Sequence, residues 1–534
     1  MMDVSSPALL QAVLSISQTT AVCGLLTIIA GMFWMLQKHR RLPPGPPLYL
    51  PGLGHLMKFA SNHILALRAL RRTYGDVFKI YMGTRMAVVL NGYDVINEVL
   101  MSRGPEFSHR PPTFLAEKLA QNKGLLNTSG KAWMEQRSNI MKSLRSMASS
   151  GGHLDVHVEA EVNRLCEKLA ELVHQGQSGH VDIAPYIRKS ICSMAYFLVF
   201  GRVLDYDCKE LALFSDTLEE LFGYLGILAV VNFVPYAHLL PGDPVCYHRC
   251  LEVVRIIEDD LIKPEIKRII QLRASGGVDS NNNTKNDKHN FAGEHAPSFG
   301  LVGGYLEDME RKGIQNIHTE MNEEHLVKAA GDLMSGGYDT VSNTLQWLLV
   351  YLIRHPDVQE RCRKEIAHGL SACGGRIIDI NRSDFVYTQA TIMEVQRLAN
   401  VGPLPPLHSC DHDTTIRGYD IPKDTMIMTN LDSLMMGPHV GDNPEEFRPD
   451  RFINDEGKLV QPKWFMPYST GSRMCIGANI AKKELLFVAV GLLSRFKFDA
   501  SVVNNETQDP SLQGILGLTH VPKPFTVSLK IEDS

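Results

Sequence analysis

The chain is predicted to be mainly α-helical with a small β region, behind an N-terminal membrane anchor. Three observations carry this expectation. Apolar residues recur at helical spacing through 94–101, 156–174, 324–354 and 478–496. Only two pairs of short alternating runs read as strands. One long uncharged apolar run stands at the N-terminus, whereas the rest of the 534 residues mix apolar and charged side chains as a globular protein does.

The N-terminal run comes first. No charge occurs between Asp3 and Lys38; 21–36 is almost wholly apolar, and 9–16 extends that character. A bilayer takes roughly 20 predominantly apolar residues, so this stretch is long enough to span. A cleaved secretory leader carries basic residues before its apolar core and small residues at a cleavage site. Here Lys38, Arg40 and Arg41 follow the core instead. The expectation is therefore an uncleaved single-pass anchor over 1–37, with the bulk of the chain in the cytosol by the positive-inside bias. Thiols stay reduced in that compartment. The ten cysteines form no zinc-type spacing, and Cys246 and Cys250 read as two residues of one helix. A net charge of −5 gives no reason to expect nucleic acid. Residues 38–52, with Pro43, Pro44, Pro46, Pro47 and Pro51, form a basic and proline-rich hinge, stiff because proline fixes φ and removes donors.

Beyond the hinge, 76–81 and 86–90 flank Gly83 and Thr84 as a β-hairpin, and 414–419 with 425–429 form a second pair around 421–424. A second apolar run, 221–240, is interrupted by Asn232, Pro235 and His238, which argue against a continuous spanning helix. Residues 274–304 are rich in Gly, Asn and Lys and read as an exposed connector. A cytosolic domain would leave the Asn282 sequon there unglycosylated.

Chemistry concentrates in a few places. Cys475 lies in a glycine-bearing turn just before the 478–496 helix, where free N–H groups and the positive helix end face the sulfur. Gly471 and Gly477 are expected to use positive φ and to admit a flat group close to the backbone. Arg473 offers a fork of donors for a carboxylate. The plain alternative is a small buried core cysteine. Trp133 and Arg137 stand four apart on one helix face, as a surface cation–π pair would. Gly336 and Gly337 each cost roughly 1 kcal/mol in mid-helix, so the pair points to a close approach. Asp339 and Thr340 follow, either as an acid–alcohol pair or as a paired carboxylate and a hydroxyl bonded back to Gly336. Glu394 and Arg397 sit three apart, with Arg451 downstream. The 402–408 run ends in His408, a surface histidine on the plain reading.

Taken together, these residues resemble the cytochrome P450 family. Tyr468, Gly471, Arg473, Cys475 and Gly477 follow its haem-loop pattern Phe-x-x-Gly-x-Arg-x-Cys-x-Gly, with Tyr468 in place of the phenylalanine. Gly336, Gly337, Asp339 and Thr340 resemble its Ala/Gly-Gly-x-Asp/Glu-Thr pattern, departing only at Val341. The trio Glu394, Arg397 and Arg451 matches its Glu-x-x-Arg and Pro-x-Arg segments, and Trp133 with Arg137 its haem-covering helix. Five motifs occur in family order, and the 517–525 segment adds to the match. The resemblance covers essentially everything after residue 40 and is closest to the microsomal animal group handling steroids, fatty acids and xenobiotics.

The resemblance implies the cytochrome P450 fold over a catalytic domain at 53–534. It implies haem b on Cys475, with Tyr468 and Gly477 beside it and Trp133, Arg137, His408 and Arg473 near the propionates. Asp339 and Thr340 would steer protons during O2 reduction. Glu394, Arg397 and Arg451 would interlock behind the haem. Phe114, Leu225, Met334, Gly337, Leu404 and Leu518 would line an apolar substrate pocket, beneath a membrane-touching lid at 221–240. The implied reaction is monooxygenation of an apolar small molecule with NADPH-derived electrons. Implied partners are NADPH–cytochrome P450 reductase, cytochrome b5 as a further donor, and the endoplasmic reticulum membrane. Arg137, Lys142, Arg145, Lys482 and Lys483 form a candidate reductase landing patch. Two rival readings are a haem-thiolate isomerase or dehydratase acting on peroxides, against which Asp339 and Thr340 argue, and a haem-binding carrier or sensor.

Overall fold

The longest helix is the one whose sequence shows the longest apolar periodicity, and the other elements assemble around it. The computed structural model describes residues 41–47, 51–149, 153–275, 300–379, 382–503 and 506–532, with isolated positions at 20, 22, 24, 27 and 31. Among the described residues, twelve helices of nine residues or more follow in chain order. They are α1 (His63–Tyr74), α2 (Gly130–Ser149), α3 (His153–His174), α4 (Ala184–Phe200), α5 (Lys209–Leu228), α6 (Tyr247–Arg255), α7 (Lys263–Ala274), α8 (Gly300–Ile314), α9 (Glu323–Arg354), α10 (Pro356–Ala372), α11 (Val386–Ala399) and α12 (Ala478–Arg495).

The central helix α9 starts where the Asn322 side chain accepts the N–H of His325 at 2.9 Å, an N-cap that satisfies one orphan donor. It stops at His355, because Pro356 cannot continue it and instead opens α10 at the first position. Its C-terminal half is buried on nearly every side, with Ser342, Asn343, Thr344 and Gln346 enclosed among its apolar residues. Val341, Leu345, Trp347 and Leu348 pack there with Val158 and Leu165 of α3 and Leu485, Val488 and Leu492 of α12. Trp347 is fully buried and still finds a partner for its indole N–H, the His520 carbonyl at 3.0 Å.

The β region is small, as expected. β1 (Val77–Met82) pairs antiparallel with β2 (Arg85–Leu90), Val77 opposite Leu90. The turn between them uses Gly83 at φ +62, where any Cβ would collide with the Phe233 carbonyl. The second expected pair is corrected. β3 (Thr414–Ile416) closes locally on β4 (Tyr419–Ile421), because Arg417 and Gly418 both take positive φ in a two-residue turn. β5 (Met426–Thr429), buried at every position, joins β2 in parallel instead. Near the C-terminus, β6 (Phe496–Val503) lies between β7 (Glu506–Gln508) and β10 (Val527–Ile531), with β8 (Gly514–Leu516) and β9 (His520–Pro522) forming a separate pair.

Several expectations are adjusted. The anchor at 1–37 lies outside the described residues apart from the isolated positions. Among the described residues no helix is long and apolar enough to cross a membrane. Within the expected 38–52 hinge, the described residues 41–47 are stitched to the body rather than standing free. Pro43 and Pro46 are buried, the Pro44 carbonyl accepts from the Lys79 N–H at 2.8 Å, and the Arg41 carbonyl accepts from the Asp420 N–H at 3.0 Å. Residues 276–299, with Asn282, lie outside the described residues, but both ends of the expected connector are helical. Ala274 closes α7, and 300–304 open α8, where Leu301, Val302 and Tyr305 turn an apolar face into the core. The 94–101 helix is a short α-turn, Tyr93–Asn97, widening into a π-turn, Glu98–Ser102. The 221–240 run breaks as its polar residues require: α5 ends at Leu228, and 3₁₀ turns follow at Ala229–Asn232 and Pro235–Leu239.

Candidate active site

The Cys475 loop is shaped first by its own backbone. The Cys475 N–H donates to the Tyr468 carbonyl at 3.0 Å and the Met474 N–H to that of Gly471 at 3.1 Å. Gly471 takes φ +80, and a Cβ there would overlap the Leu100 carbonyl, so this glycine is required by packing against the π-turn. Gly477 differs from expectation. It caps α12 at φ −89, an ordinary conformation, and a Cβ on it would meet nothing within 4 Å. Its absent side chain leaves room beside the sulfur, and its N–H bonds toward the thiol. Cys475 is exposed by surface area, yet burial pushes its thiol up, with Gly477 N–H and Arg137 pulling the other way. Together these place the sulfur on the wall of an internal recess. The Tyr468 hydroxyl accepts from Gln396 Nε2 at 2.8 Å, so that added group has a partner of its own.

Four basic side chains converge near this loop. Arg473 Nε donates to Ser108 O at 2.7 Å and Nη2 to Thr128 O at 2.6 Å, while its guanidinium stands 3.9 Å from the centroid of the buried Trp133 ring. Burial, then Arg110 and Arg137, push Arg473 down to about 8. Arg110 donates to the carbonyls of Leu126, Pro406 and Leu407, and burial lowers it to about 10. Arg137 Nη2 reaches Met474 O at 2.6 Å. His408 is buried, not superficial. Its Nδ1 lies 2.9 Å from the Phe107 carbonyl, which can only accept, so Nδ1 carries the proton. Burial, then Arg110, hold His408 neutral, at about 3. Among the described residues no carboxylate forms an ion pair with Arg110, Arg137 or Arg473, and the acid that acts on Arg110 at longer range is Asp332. Three guanidiniums that repel one another around an accessible thiol suit a flat, iron-bearing dicarboxylate such as haem.

On α9, Thr340 is exposed and its hydroxyl donates back to the Gly336 carbonyl at 2.8 Å, the plain alternative of the sequence reading. Asp339, about 100° around the helix, is buried. Its Oδ1 accepts from Asn343 at 2.9 Å and its Oδ2 has no hydrogen-bond partner. Burial pushes it up to about 6, with Thr519 and Asn343 limiting the rise. The two glycines divide their work. A Cβ on Gly336 would meet open space, whereas one on Gly337 would rest 3.7 Å from Ala195 of α4. Gly337 therefore seats α4 at an ordinary van der Waals distance.

The Asp339 result has a pH consequence. A carboxyl whose folded value stands above its ordinary 3.8 costs stability once ionised, and that cost grows as pH rises towards 6 and then stays. Asp339→Asn is expected to raise stability relative to the natural chain at pH 8 by at most about 3 kcal/mol. The gain should shrink at pH 5, as denaturant unfolding at the two pH values would show.

The remaining sequence candidates separate. Glu394, Arg397 and Arg451 come together, all buried: Arg397 donates to Glu394 at 2.7 and 2.8 Å, and Arg451 Nε at 3.3 Å. Leu225 and Leu518 are neighbours in space, because Gly226 lies against the Gly517 backbone, where a Cβ would stand at 3.2 Å. Phe114 packs between His238 and Tyr247, with ring centroids 4.9 and 5.6 Å away. Leu404 packs with Met82 and Met428. Met334 is a correction. It is wholly buried among α4 and α5 residues, since six helical positions place it about 120° from Thr340. Sequence reasoning missed Arg110. No motif spacing marks it, and the following Pro111 and Pro112, which hold the chain extended, are the one available hint.

Comparison with known proteins agrees with this geometry. The profile described as Cytochrome P450 matches residues 43–529. Human Cytochrome P450 2U1 is 30% identical over 95% of this chain and 92% of its own length. Cytochrome P450 2D27 of Mesocricetus auratus is 30% identical over 92% and 93%. Cytochrome P450 18a1 of Drosophila melanogaster is 28% identical over 95% and 90%. A thiol recess ringed by arginines, on a helical fold matched almost end to end, identifies the chain as a member of the cytochrome P450 family, a haem-dependent monooxygenase.

Proposed function

We propose that this protein inserts one oxygen atom from O2 into an apolar small molecule, using NADPH-derived electrons from a reductase. The observation that carries the reading is the convergence of Arg110, Arg137, Arg473 and His408 on the accessible Cys475 recess, with Thr340 exposed on α9. Bound haem supplies the electron transfer and oxygen chemistry. Everything else falls to the chain's own side chains.

Cys475 would hold the iron as a thiolate, its charge tempered by the Gly477 N–H and the α12 N-terminus. Arg110, Arg137 and Arg473 would hold the propionates, with His408 as a neutral neighbour able to offer Nε2. Thr340 holds a proton at Oγ1 on the open face, and Asp339, near neutrality in its proton affinity, replenishes it from the adjoining face. Thr340→Ala is expected to lower product formed per NADPH consumed by roughly tenfold, with hydrogen peroxide accounting for the difference. Unchanged coupling would overturn the proton-delivery role of Thr340.

A groove of about 380 Å³ along α2, lined by Trp133, Arg137, Met141, Lys142 and Arg145 among others, supports docking of an electron donor such as the reductase or cytochrome b5. The Lys142 side chain is largely exposed there, while Lys483 pairs with Asp155 and Lys482 lies 5.5 Å from the Tyr468 ring centroid. Ile227, Tyr236, Leu239 and Leu240 are exposed together at the end of α5 and beyond, which supports a membrane-facing lid and residence at the endoplasmic reticulum membrane. The deciding experiment is a titration of the ferric holoenzyme with steroids, fatty acids and polycyclic aromatics, read by haem absorption, followed by turnover with reductase and NADPH. A response confined to one class names the substrate, and product formation establishes oxygenation. Absence of NADPH consumption with every class would overturn the reading.

A further inference from the structure

The N-terminal half of α9 touches the arginine cluster through a contact that the haem reading does not use. Asp332 lies two turns before Thr340, and its Oδ2 accepts the N–H of Leu125 at 2.7 Å and of Leu126 at 2.9 Å. The chain reaches it by turning at Gly124, φ +80, where a Cβ would stand 2.5 Å from Asp332 Oδ2 and 3.1 Å from Lys328 Cβ. Only glycine allows that approach.

The opposite edges of the same peptide units face other partners. The Gly124–Leu125 unit gives its N–H to Asp332 and accepts the Thr128 hydroxyl at 2.7 Å on its carbonyl. The Leu125–Leu126 unit gives its N–H to Asp332 and lies 3.4 Å from Arg473 Nη1 on its carbonyl. Leu126 O then accepts Arg110 Nε at 3.0 Å, and Thr128 O accepts Arg473 Nη2 at 2.6 Å. Each peptide is gripped at both ends, an arrangement in which polarisation strengthens the successive hydrogen bonds.

We propose that Asp332 is a positioning residue for the haem seat. It holds the 124–128 loop so that Arg110 and Arg473 stand ready for the haem carboxylates, and it ties that seat to the helix bearing Thr340. The charged groups around it are Lys328 on its own helix, Glu258 on the π-turn Ile256–Ile262, and Arg110. Burial pushes Asp332 up to about 6, while the Leu126 and Leu125 N–H groups and Lys328 hold it down. The inference rests on the reading that Arg110 and Arg473 receive the propionates.

The test follows haem transfer from the ferric holoenzyme to excess apomyoglobin, beside the thermal unfolding midpoint. Asp332→Asn replaces one charged acceptor and should speed haem loss about tenfold. Arg110→Ala should speed it at least as much, and the double variant should fall short of the product, because both act through one loop. Asp308→Asn, which removes the partner of Lys142, Arg311 and Lys312 on α8, should lower the midpoint without altering haem loss. If Asp332→Asn loses haem at the natural rate while Arg110→Ala is fast, this inference fails alone. Haem loss unaffected by Arg110→Ala would overturn the propionate reading and this inference with it. Full multiplication of the two effects, or equal haem loss in Asp308→Asn and Asp332→Asn at matched midpoints, would reduce Asp332 to a purely structural role. Should Asp332→Asn yield no holoenzyme, Gly124→Ala presses the same contact from the loop side and is expected to speed haem loss in the same way.

Discussion

Glu394→Gln is expected to prevent recovery of folded holoenzyme. The carboxylate is completely buried and answers two buried guanidiniums: Arg397 grips it with two hydrogen bonds, and Arg451 approaches from the Pro449–Phe452 turn. It also accepts the Arg448 N–H at 2.9 Å. A neutral amide leaves Arg397 without an anion, leaves Arg451 only the Glu446 carboxylate at 3.9 Å, and turns N–H against N–H. Breaking a buried pair in this way costs about 3–5 kcal/mol. Domains are stable by only about 5–15 kcal/mol, so a large part of the margin goes. Arg397 keeps the carbonyls of Met435 and Pro444, but carbonyl dipoles do not neutralise a full charge. Soluble yield and the denaturant midpoint are the measurements. A variant within 1 kcal/mol, roughly the ceiling for an exposed pair, would show that the trio behaves as a surface salt bridge.

Cys475→Ser is expected to abolish monooxygenase turnover while leaving the fold nearly intact. The side chain occupies no packed core position, so losing the sulfur opens no cavity. A serine hydroxyl keeps its proton near neutral pH and is a hard oxygen donor, whereas haem iron here calls for an electron-rich thiolate. The reduced carbon monoxide complex should lose the red-shifted absorption of thiolate-ligated haem, and product formation should fall to background. Residual haem held by Arg110, Arg137 and Arg473 would separate propionate binding from iron ligation. Turnover in the serine variant would show that another residue ligates the iron.

The site was legible in sequence wherever chemistry imposes a spacing. Cys475, Arg473 and Gly471 share one short loop, and Glu394 with Arg397 share one helical turn, so local geometry alone fixes their relation. Gly471 was picked out correctly for positive φ, and the Leu100 carbonyl is a reason the sequence did not show. Residues that meet through long-range folding were less visible. Arg110 reaches the cluster from a loop some 360 positions before Arg473, and nothing in its neighbourhood signals that destination. Met334 shows the same limit on a helix. The periodicity of 324–354 says that α9 is buried, but only its neighbours α4 and α5 decide which side is core and which is open. β5 pairs with β2 instead of with the strand before it, because a tight turn satisfies that strand locally.

The sequence by itself determined the class of fold, the family and the loop that carries the proposed iron ligand, because helical periodicity, proline and glycine placement and a ten-residue loop pattern are all local. Tertiary structure alone decided that His408 is buried and neutral, that Asp339 and Thr340 face different surroundings, and that Asp332 grips the loop feeding two arginines. Those properties are set by burial and by the sum of charges from distant segments, which come together only when the chain has folded.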